Sequence, residues 1–389
     1  MGKKILILSN HFITLYNFRK ELVKKLIDKG NEVFISIPKA EENSFFSGMG
    51  CKIIETPVDR RGVNPIRDFG LILNYIKIMK KLKPDIIFSY TIKPNIYGCI
   101  ASNFTKNRQV SNITGTGATF LKKNLVSFIA KNLYKISLKK SYKVFFQNSG
   151  DKDFFVKNKM IKDNWAMLPG SGVNLKQYEL CDLPSEDEIN FIFIGRVMEL
   201  KGIEQYIDCA KSIKEKYPNT NFYIAGFIEE EKYKEIIDEY HSKGIINYIG
   251  FQKNIKEWIQ KCHCTILPSH GGEGVPNVLL ESAAMGRICI ASKINGSKDV
   301  IDEGITGYLF DTGNAVDLID KVDKFLRLNY EAKKQMGLAG RNKVEREFDR
   351  EIVIKRYLEE VEKVERTRLD GLQKVSTKSK NEIEDFKIS

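Results

Sequence analysis

Asn190–Gly202 reads NFIFIGRVMELKG, and the fold turns on it. Phe191 to Ile194 are apolar at every position, so both faces of this strand are buried. That is the mark of a strand inside a parallel sheet, not of an antiparallel sheet with one wet face. A short polar loop carrying Arg196 and Lys201 follows, and then Ile203 to Lys216 has the apolar spacing of a helix. Strand, loop and helix make the repeating half of a β-α-β unit.

The same unit recurs on both sides. Upstream, KKILILS, EVFISIP, DIIFSY, QVSNITG, KVFFQNS and WAMLPG read as strands. Helices are expected over Tyr16–Lys29, Asp68–Leu82 and Ile96–Asn103, in a long stretch after QVSNITG, and briefly after KVFFQNS. Downstream, NFYIAG, INYIGF, CTILPS, ICIAS and GYLF are strands, with helices over Glu230–Ser242, around Trp258 and after Pro276. The chain is therefore α/β, with two doubly wound parallel sheets. The break falls in the polar, proline-containing CDLPSEDEIN near Glu179–Asn190. Residues 1–180 form a first domain and 181–350 a second. Residues 351–366 form a charged helix packing back toward the first, and 367–389 a frayed tail.

The 389 residues are 42% hydrophobic and 29% charged, an ordinary globular composition ample for two cores. No apolar run approaches membrane-spanning length, and MGKKILILSNHF is too short in apolar residues for a signal peptide. Seven scattered cysteines with no C-x-x-C suggest reduced thiols in the cytoplasm. Cys262-His263-Cys264 lacks a second ligand cluster and runs into a strand. The net charge of +13 is uneven: residues 1–150 carry 26 Lys+Arg against 9 Asp+Glu, and the rest 37 against 41. The basic half calls for an anionic partner.

Two doubly wound domains facing one another leave a cleft at the carboxyl ends of their strands, where ligands bind. Arg196 and Lys201 follow one such strand and could hold a diphosphate. Gly271–Gly286, GGEGVPNVLLESAAMG, follows another. Its glycines let backbone N–H groups approach a ligand, Pro276 suits the first helical position, and the helix start attracts an anion. Glu273 in the loop and Glu281 in the helix are then placed to accept hydroxyl hydrogen bonds from sugars. Read one at a time, these charges are loop surface and solvated helix face.

Together, Gly195-Arg196, Lys201-Gly202, Pro268-Ser269, Glu273-Gly274, Pro276 and Glu281 resemble the family 4 retaining glycosyltransferases of GT-B fold, two Rossmann-like domains facing across a cleft. The likeness covers nearly the whole chain, including PGSGVNLKQY and REFDREIVIKRYLEEV. It implies that Arg196 and Lys201 neutralise the diphosphate of a nucleotide-sugar and that Glu281 holds the ribose. It puts Glu273 on the donor sugar beside the backbone of Gly274, Val275, Pro276 and Asn277, with Gln252 to Ile255 flanking the base. It also implies a front-face substitution in which the leaving phosphate takes the acceptor's proton, with no side-chain nucleophile, no cofactor and no metal. UDP is the nucleotide that family habit suggests. Asp151-Lys152-Asp153 spells a D-x-D metal motif, but helix capping accounts for it better.

On the acceptor side, SNHFITL stands where the family often has a glycine pair. His11 either faces the acceptor or sugar, or caps its turn. Tyr90, Thr91 and Lys93 follow one strand and Thr116 another. TIKPNIYG and ITGTG resemble the subgroup that builds bacterial surface polysaccharides and lipid-linked oligosaccharides, which implies a polyprenyl-diphosphate-linked acceptor. Phe120 to Lys143 carries seven lysines and no acid, with Leu125, Ile129, Leu133 and Ile136 as an apolar stripe. It suits docking on an anionic membrane, on the inner face of the plasma membrane; a core-facing helix with a solvated lysine face is the plainer reading. A sugar-nucleotide epimerase or hydrolase shares this architecture and is the rival enzyme. A nucleic-acid partner is not expected, because the basic helix lacks a recognised motif.

Overall fold

The computed structural model describes residues 2–59, 62, 64–117, 120 and 125–364. Strands β1 (Lys4–Leu8), β2 (Glu32–Ile37), β3 (Lys52–Glu55), β4 (Ile86–Tyr90), β5 (Gln109–Ile113), β6 (Lys143–Phe146) and β7 (Trp165–Met167) form one sheet, ordered β3-β2-β1-β4-β5-β6-β7. Strands β8 (Ile189–Ile194), β9 (Thr220–Ala225), β10 (Asn247–Gly250), β11 (Cys264–Leu267), β12 (Ile288–Ser292) and β13 (Gly307–Phe310) form the other, ordered β10-β9-β8-β11-β12-β13. Every pairing in the second sheet is parallel. The GT-B expectation of two doubly wound parallel sheets holds. In each sheet the order reverses once, between β1 and β4 and between β8 and β11, and these switch points are where such sheets take ligands.

The helix Ile203–Lys216 has the expected bounds. The helix expected from Ile96 begins at Ile92, because Pro94 lies in the first turn, where no intrahelical N–H is needed. Strand β3 and the helices Asn295–Val300, Ala315–Leu326 and Tyr330–Glu347 were not anticipated. KIIE is a short edge strand with a charge at each end, which hides it. Leu318, Val322 and Phe325 do mark the second of those helices. The third is spelled largely with charged residues and carries Gly337 and Gly340 on its buried side.

Compactness divides the chain otherwise than sequence order does. One unit comprises Met1–Asn112, Ile136–Val144 and the chain from Ile354; the other comprises Ile113–Lys135 and Phe145–Val353. The second unit is built on a buried cluster including Phe191, Phe193, Tyr206, Phe222 and Phe325, each such ring contributing about 1.5–3 kcal/mol on burial. A further cluster of Leu267, Val275, Leu279 and Leu280 underlies the β11 end.

In the first unit a buried polar network ties β4, β5 and the helix over 350–364 together. Ser89 Oγ donates to Asn95 Oδ1 at 2.7 Å, Asn95 Nδ2 to the Asn112 carbonyl at 2.7 Å, and Gln109 Nε2 to Ser89 Oγ at 2.8 Å. Tyr357 from the C-terminal helix donates its hydroxyl to Asn112 Oδ1, and its ring meets Phe88 edge-on at 5.1 Å. Residues 367–389, expected to be a tail, lie outside the described residues. Tyr357→Phe leaves Asn112 Oδ1 buried without that donor, and urea denaturation should show a loss of about 1–3 kcal/mol.

Candidate functional site

The β8 and β11 loops are brought together by one close approach. A 3-10 turn over Glu199–Lys201 ends at Gly202, whose φ is +71°. A Cβ there would fall 1.9 Å from the Pro268 carbonyl oxygen, so only glycine fits. His270 N then donates to the Leu200 carbonyl at 2.9 Å, and Ser269 Oγ to the same oxygen at 3.3 Å. This lacing sets Lys201 Nζ on Glu273 Oε1, which also accepts from Ser269 Oγ at 3.0 Å. Both side chains are about one-fifth exposed, at 19% and 20%. Arg196 stands apart, 47% exposed, with Nη1 3.6 Å from Glu229 Oε1. The Gly195 carbonyl lies where a Cβ on Gly226 would be.

The loop from Gly271 to Gly274 has two left-handed residues, Gly271 and Gly272. Gly274 is not one of them. A Cβ there would meet Gln147 Oε1 at 2.3 Å and the Thr114 carbonyl at 2.7 Å, so packing demands this glycine. Pro276 corrects the expectation that it is the first helical residue. It is the N-cap, with ψ 115°, and the helix runs Asn277–Ala284. No side chain caps that helix, so its first N–H groups and dipole are open to an anion. Asn277 Oδ1 is buried there with no hydrogen-bond partner among the described residues. Val275 is a core residue, its side chain against Gly170.

Glu281 lies on the same helix, half-buried. Burial pushes its carboxyl up to about 7, against the pull of the Arg350 guanidinium and a hydrogen bond with Tyr178. Arg350 is itself anchored by donating to the Gly172 carbonyl at 2.9 Å. Gln252 and Ile255 lie beyond edge strand β10. Gln252 Oε1 accepts from Trp258 Nε1 at 3.1 Å, its Nε2 donates to the Ile249 carbonyl, and Ile255 opens the helix Ile255–Lys261. Lys201 and Glu273 thus meet directly, in the loop that leads into the Asn277–Ala284 helix; Arg196 pairs with Glu229, Gln252 with Trp258, and Ile255 packs against the cluster that holds Val275 and Leu279.

The residues read as acceptor-facing divide between the units. His11 Nδ1 accepts from Ile13 N at 3.2 Å and caps the helix Phe12–Asp28, the second of its two readings. Tyr90 is buried, with Arg19 over its ring at 4.8 Å. Thr91 has φ +73°, rare for a β-branched residue. Lys93 Nζ pairs with Asp68 Oδ1 at 2.6 Å, and Tyr97 donates to Asp68 Oδ2 at 2.7 Å. Thr116 belongs to the second unit and hydrogen-bonds the Asp151 carboxyl, which burial raises to about 6.

Asn148 caps the helix Ser149–Lys157, with Asp151 in its first turn. Of the D-x-D pair, Asp151 is buried whereas Asp153 is exposed and paired with Lys152, so the two carboxylates do not converge. His263 is likewise occupied: one ring nitrogen accepts from Asn190 N at 3.1 Å and the other lies 3.1 Å from the Ser185 carbonyl. The sequence reading missed Gln147, Asn148, Tyr178 and Arg350. All four act through chain partners far away in sequence, which no local pattern announces.

Comparison with known proteins agrees with this geometry. A family model described as glycosyl transferases group 1 matches residues 182–343, and one described as glycosyl transferase 4-like matches residues 4–148. The chain is 28% identical to the N,N'-diacetylbacillosaminyl-diphospho-undecaprenol alpha-1,3-N-acetylgalactosaminyltransferase of Campylobacter jejuni, over 92% of this chain and 98% of that one. Among solved structures, a glycosyltransferase of Rickettsia africae superposes with TM-score 0.78 at 20% identity, covering 93% of this chain and 98% of that one. Anabaena HepE in complex with UDP and glucose superposes with TM-score 0.77 at 14% identity, covering 93% and 100%. These two likenesses establish the fold. None of these matches is an epimerase or a hydrolase.

The raised Glu281 carboxyl makes stability depend on pH. A group held near 7 in the folded chain, against about 4.5 unfolded, stabilises fully below its unfolded value, and that stability is lost as pH rises through about 7. Glu281→Gln mimics the protonated form. Its melting temperature should exceed that of the parent above pH 7, and the gap should close as the pH is lowered toward 4.5.

Proposed function

The chain belongs to the glycosyltransferases, a 4-like domain followed by a group 1 domain, and from that premise we propose that it moves a hexose or N-acetylhexosamine from a UDP-linked donor to a polyprenyl-diphosphate-linked glycan. The observation that carries this reading is the Lys201–Glu273 contact beside the uncapped start of the Asn277–Ala284 helix. A cation, a hydroxyl-accepting acid and open backbone N–H groups are what a sugar diphosphate needs. The names of the relatives support the substrates: one acts on a diphospho-undecaprenol acceptor, and one was solved with UDP and glucose.

In the reaction, the arriving diphosphate takes Lys201 away from Glu273. Glu273 is then free to accept hydrogen bonds from the sugar hydroxyls. Arg196 and the helix start share the remaining charge, Glu281 accepts from the ribose, and the loop from Gln252 to Ile255 flanks the base. The acceptor hydroxyl attacks the anomeric carbon on the face that the phosphate leaves. The C1–O bond to the phosphate breaks, and the acceptor's proton passes to the departing phosphate oxygen. Retention follows, with no side-chain nucleophile. The protein's task is to stabilise charge growing on the diphosphate, which Arg196, Lys201 and the helix dipole meet in place of a metal ion. His11, Tyr90, Thr91 and Lys93 of the first unit serve the acceptor, His11 by shaping the β1 turn.

The enzyme works at the membrane surface, peripheral on its inner face. No helix among the described residues is long and apolar enough to cross a membrane. What supports docking is the helix Leu125–Leu138, which turns Ala130, Tyr134 and Leu138 inward. Leu125, Phe128, Ile129 and Ile136 stay open to solvent, at 72%, 65%, 48% and 65% exposure. Lys131, Lys135, Lys139 and Lys140 accompany that apolar stripe, and each lysine near an anionic surface adds about 1 kcal/mol. Residues 121–124 of the segment lie outside the described residues.

A panel of sugar nucleotides with a synthetic polyprenyl-diphosphate sugar, read by mass, should show transfer from one donor. Arg196→Ala and Lys201→Ala should each lose about 2–4 kcal/mol of transition-state stabilisation, a hundredfold or more in rate. UDP release that ignores the acceptor would instead favour hydrolysis or epimerisation. In flotation with vesicles rich in anionic lipid, the double variant Phe128→Ser, Ile129→Ser should remain at the bottom of the gradient while the parent floats.

A further inference from the structure

We infer that Asn148 is a positioning residue for sugar transfer, its amide holding the Glu273 peptide so that the loop presents its acid and its N–H groups to the donor. The inference rests on the reading of the Gly271–Asn277 segment as the donor loop. Asn148 lies just past β6 and is 1% exposed. Its side chain has one acceptor oxygen and two N–H donors, and all three are used. Oδ1 accepts from Asp151 N at 2.8 Å; Nδ2 donates to Asp151 Oδ2 at 3.0 Å and to the Glu273 carbonyl at 3.3 Å. One amide therefore caps a helix and grips a loop 125 residues further along the chain.

The grip matters because the peptide is planar. Fixing the Glu273 carbonyl fixes the direction of the Gly274 N–H on the same peptide, and it sets the backbone from which the Glu273 side chain departs. The surroundings leave that peptide little room. Gly117 N donates to the Gly272 carbonyl at 3.0 Å, and Gly274 lies against Gln147 and the Thr114 carbonyl. A Cβ on Gly296 would fall 1.6 Å from the Gly274 carbonyl oxygen. Asp151 holds the Asn148 amide in turn and is itself held by Thr116. The loop that grips the donor is thus aligned by the first turn of a helix that contributes no donor ligand of its own.

A helix cap alone would make Asn148 merely structural, and Asn148→Ser separates the two roles. Serine caps as well as asparagine but is too short and too poor in donors to reach both Asp151 and the Glu273 carbonyl. The variant should melt within about 3 °C of the parent. Amide hydrogen exchange at Gly272–Val275 should speed up while the helix Ser149–Lys157 stays protected. Affinity for UDP should hold within about twofold, and kcat/KM for the sugar nucleotide the parent uses should fall about tenfold to a hundredfold. Asn148→Ala, which loses both roles, should add a drop in melting temperature. Unchanged exchange in the loop of Asn148→Ser would overturn the inference, as would parent-like transfer. So would a parallel fall in melting temperature, UDP affinity and transfer, which marks a structural residue. If the parent itself transfers no sugar, the functional reading fails, and the exchange measurement still decides whether Asn148 holds the loop.

Discussion

The contact of Gly202 with the Pro268 carbonyl is the constraint on which the site depends. Backbone meets backbone there with no room for a Cβ. Two strand-end loops, far apart in sequence, are thereby laced through Leu200, Ser269 and His270. Everything placed on those loops follows. Lys201 reaches Glu273, and Glu273 lies at the mouth of a helix whose first amides have no side-chain cap. A bulkier residue at Gly202 would part the loops and separate the cation from the acid. The same device recurs under the loop, where Gly274, Gly170 and Gly296 each admit a neighbour that a side chain would exclude. Glycine in this segment serves close packing at least as much as ligand access.

A second theme is charge held at a disadvantage. Glu281 and Asp151 are both raised by burial, to about 7 and about 6, and each has a partner that limits the rise: Arg350 for one, Asn148 for the other. Groups shifted in this way cluster at functional sites. For Glu281 the use we propose is ribose recognition. Its ionised form is the better acceptor of hydroxyl hydrogen bonds, and the half-buried setting makes each of those bonds stronger than it would be in water. For Asp151 the use is to hold an amide that holds the donor loop. The Lys201–Glu273 pair is different, since in the proposed reaction each group exchanges the other for ligand.

Much of this was legible before any coordinates. Strands apolar on both faces, alternating with helices, announced two parallel doubly wound sheets, and Arg196, Lys201, Glu273 and Glu281 stood out because they follow strands. The helix Ile203–Lys216 was read to the residue, since its apolar period is regular. Strand β3 escaped because four residues with charged ends carry no period, and Pro276 was placed one position too far in because cap and first turn look alike in sequence. The stripe Leu125, Ile129, Leu133, Ile136 was visible as a period. Which way it faced was not, because an amphipathic helix can turn its apolar side to a core or to a lipid.

What the sequence determined by itself is the order of the elements and the chemistry available at the ends of the strands, because period and residue type are local properties. What only the tertiary structure decided is which of those groups meet. Lys201 and Glu273 are 72 residues apart, Asn148 and Glu273 125. The first contact exists because sheet order places β8 beside β11, and the second because Gly274 lets its loop close on Gln147 and the Thr114 carbonyl. Distances of that kind are set by packing of the whole unit, and no stretch of the chain carries them alone.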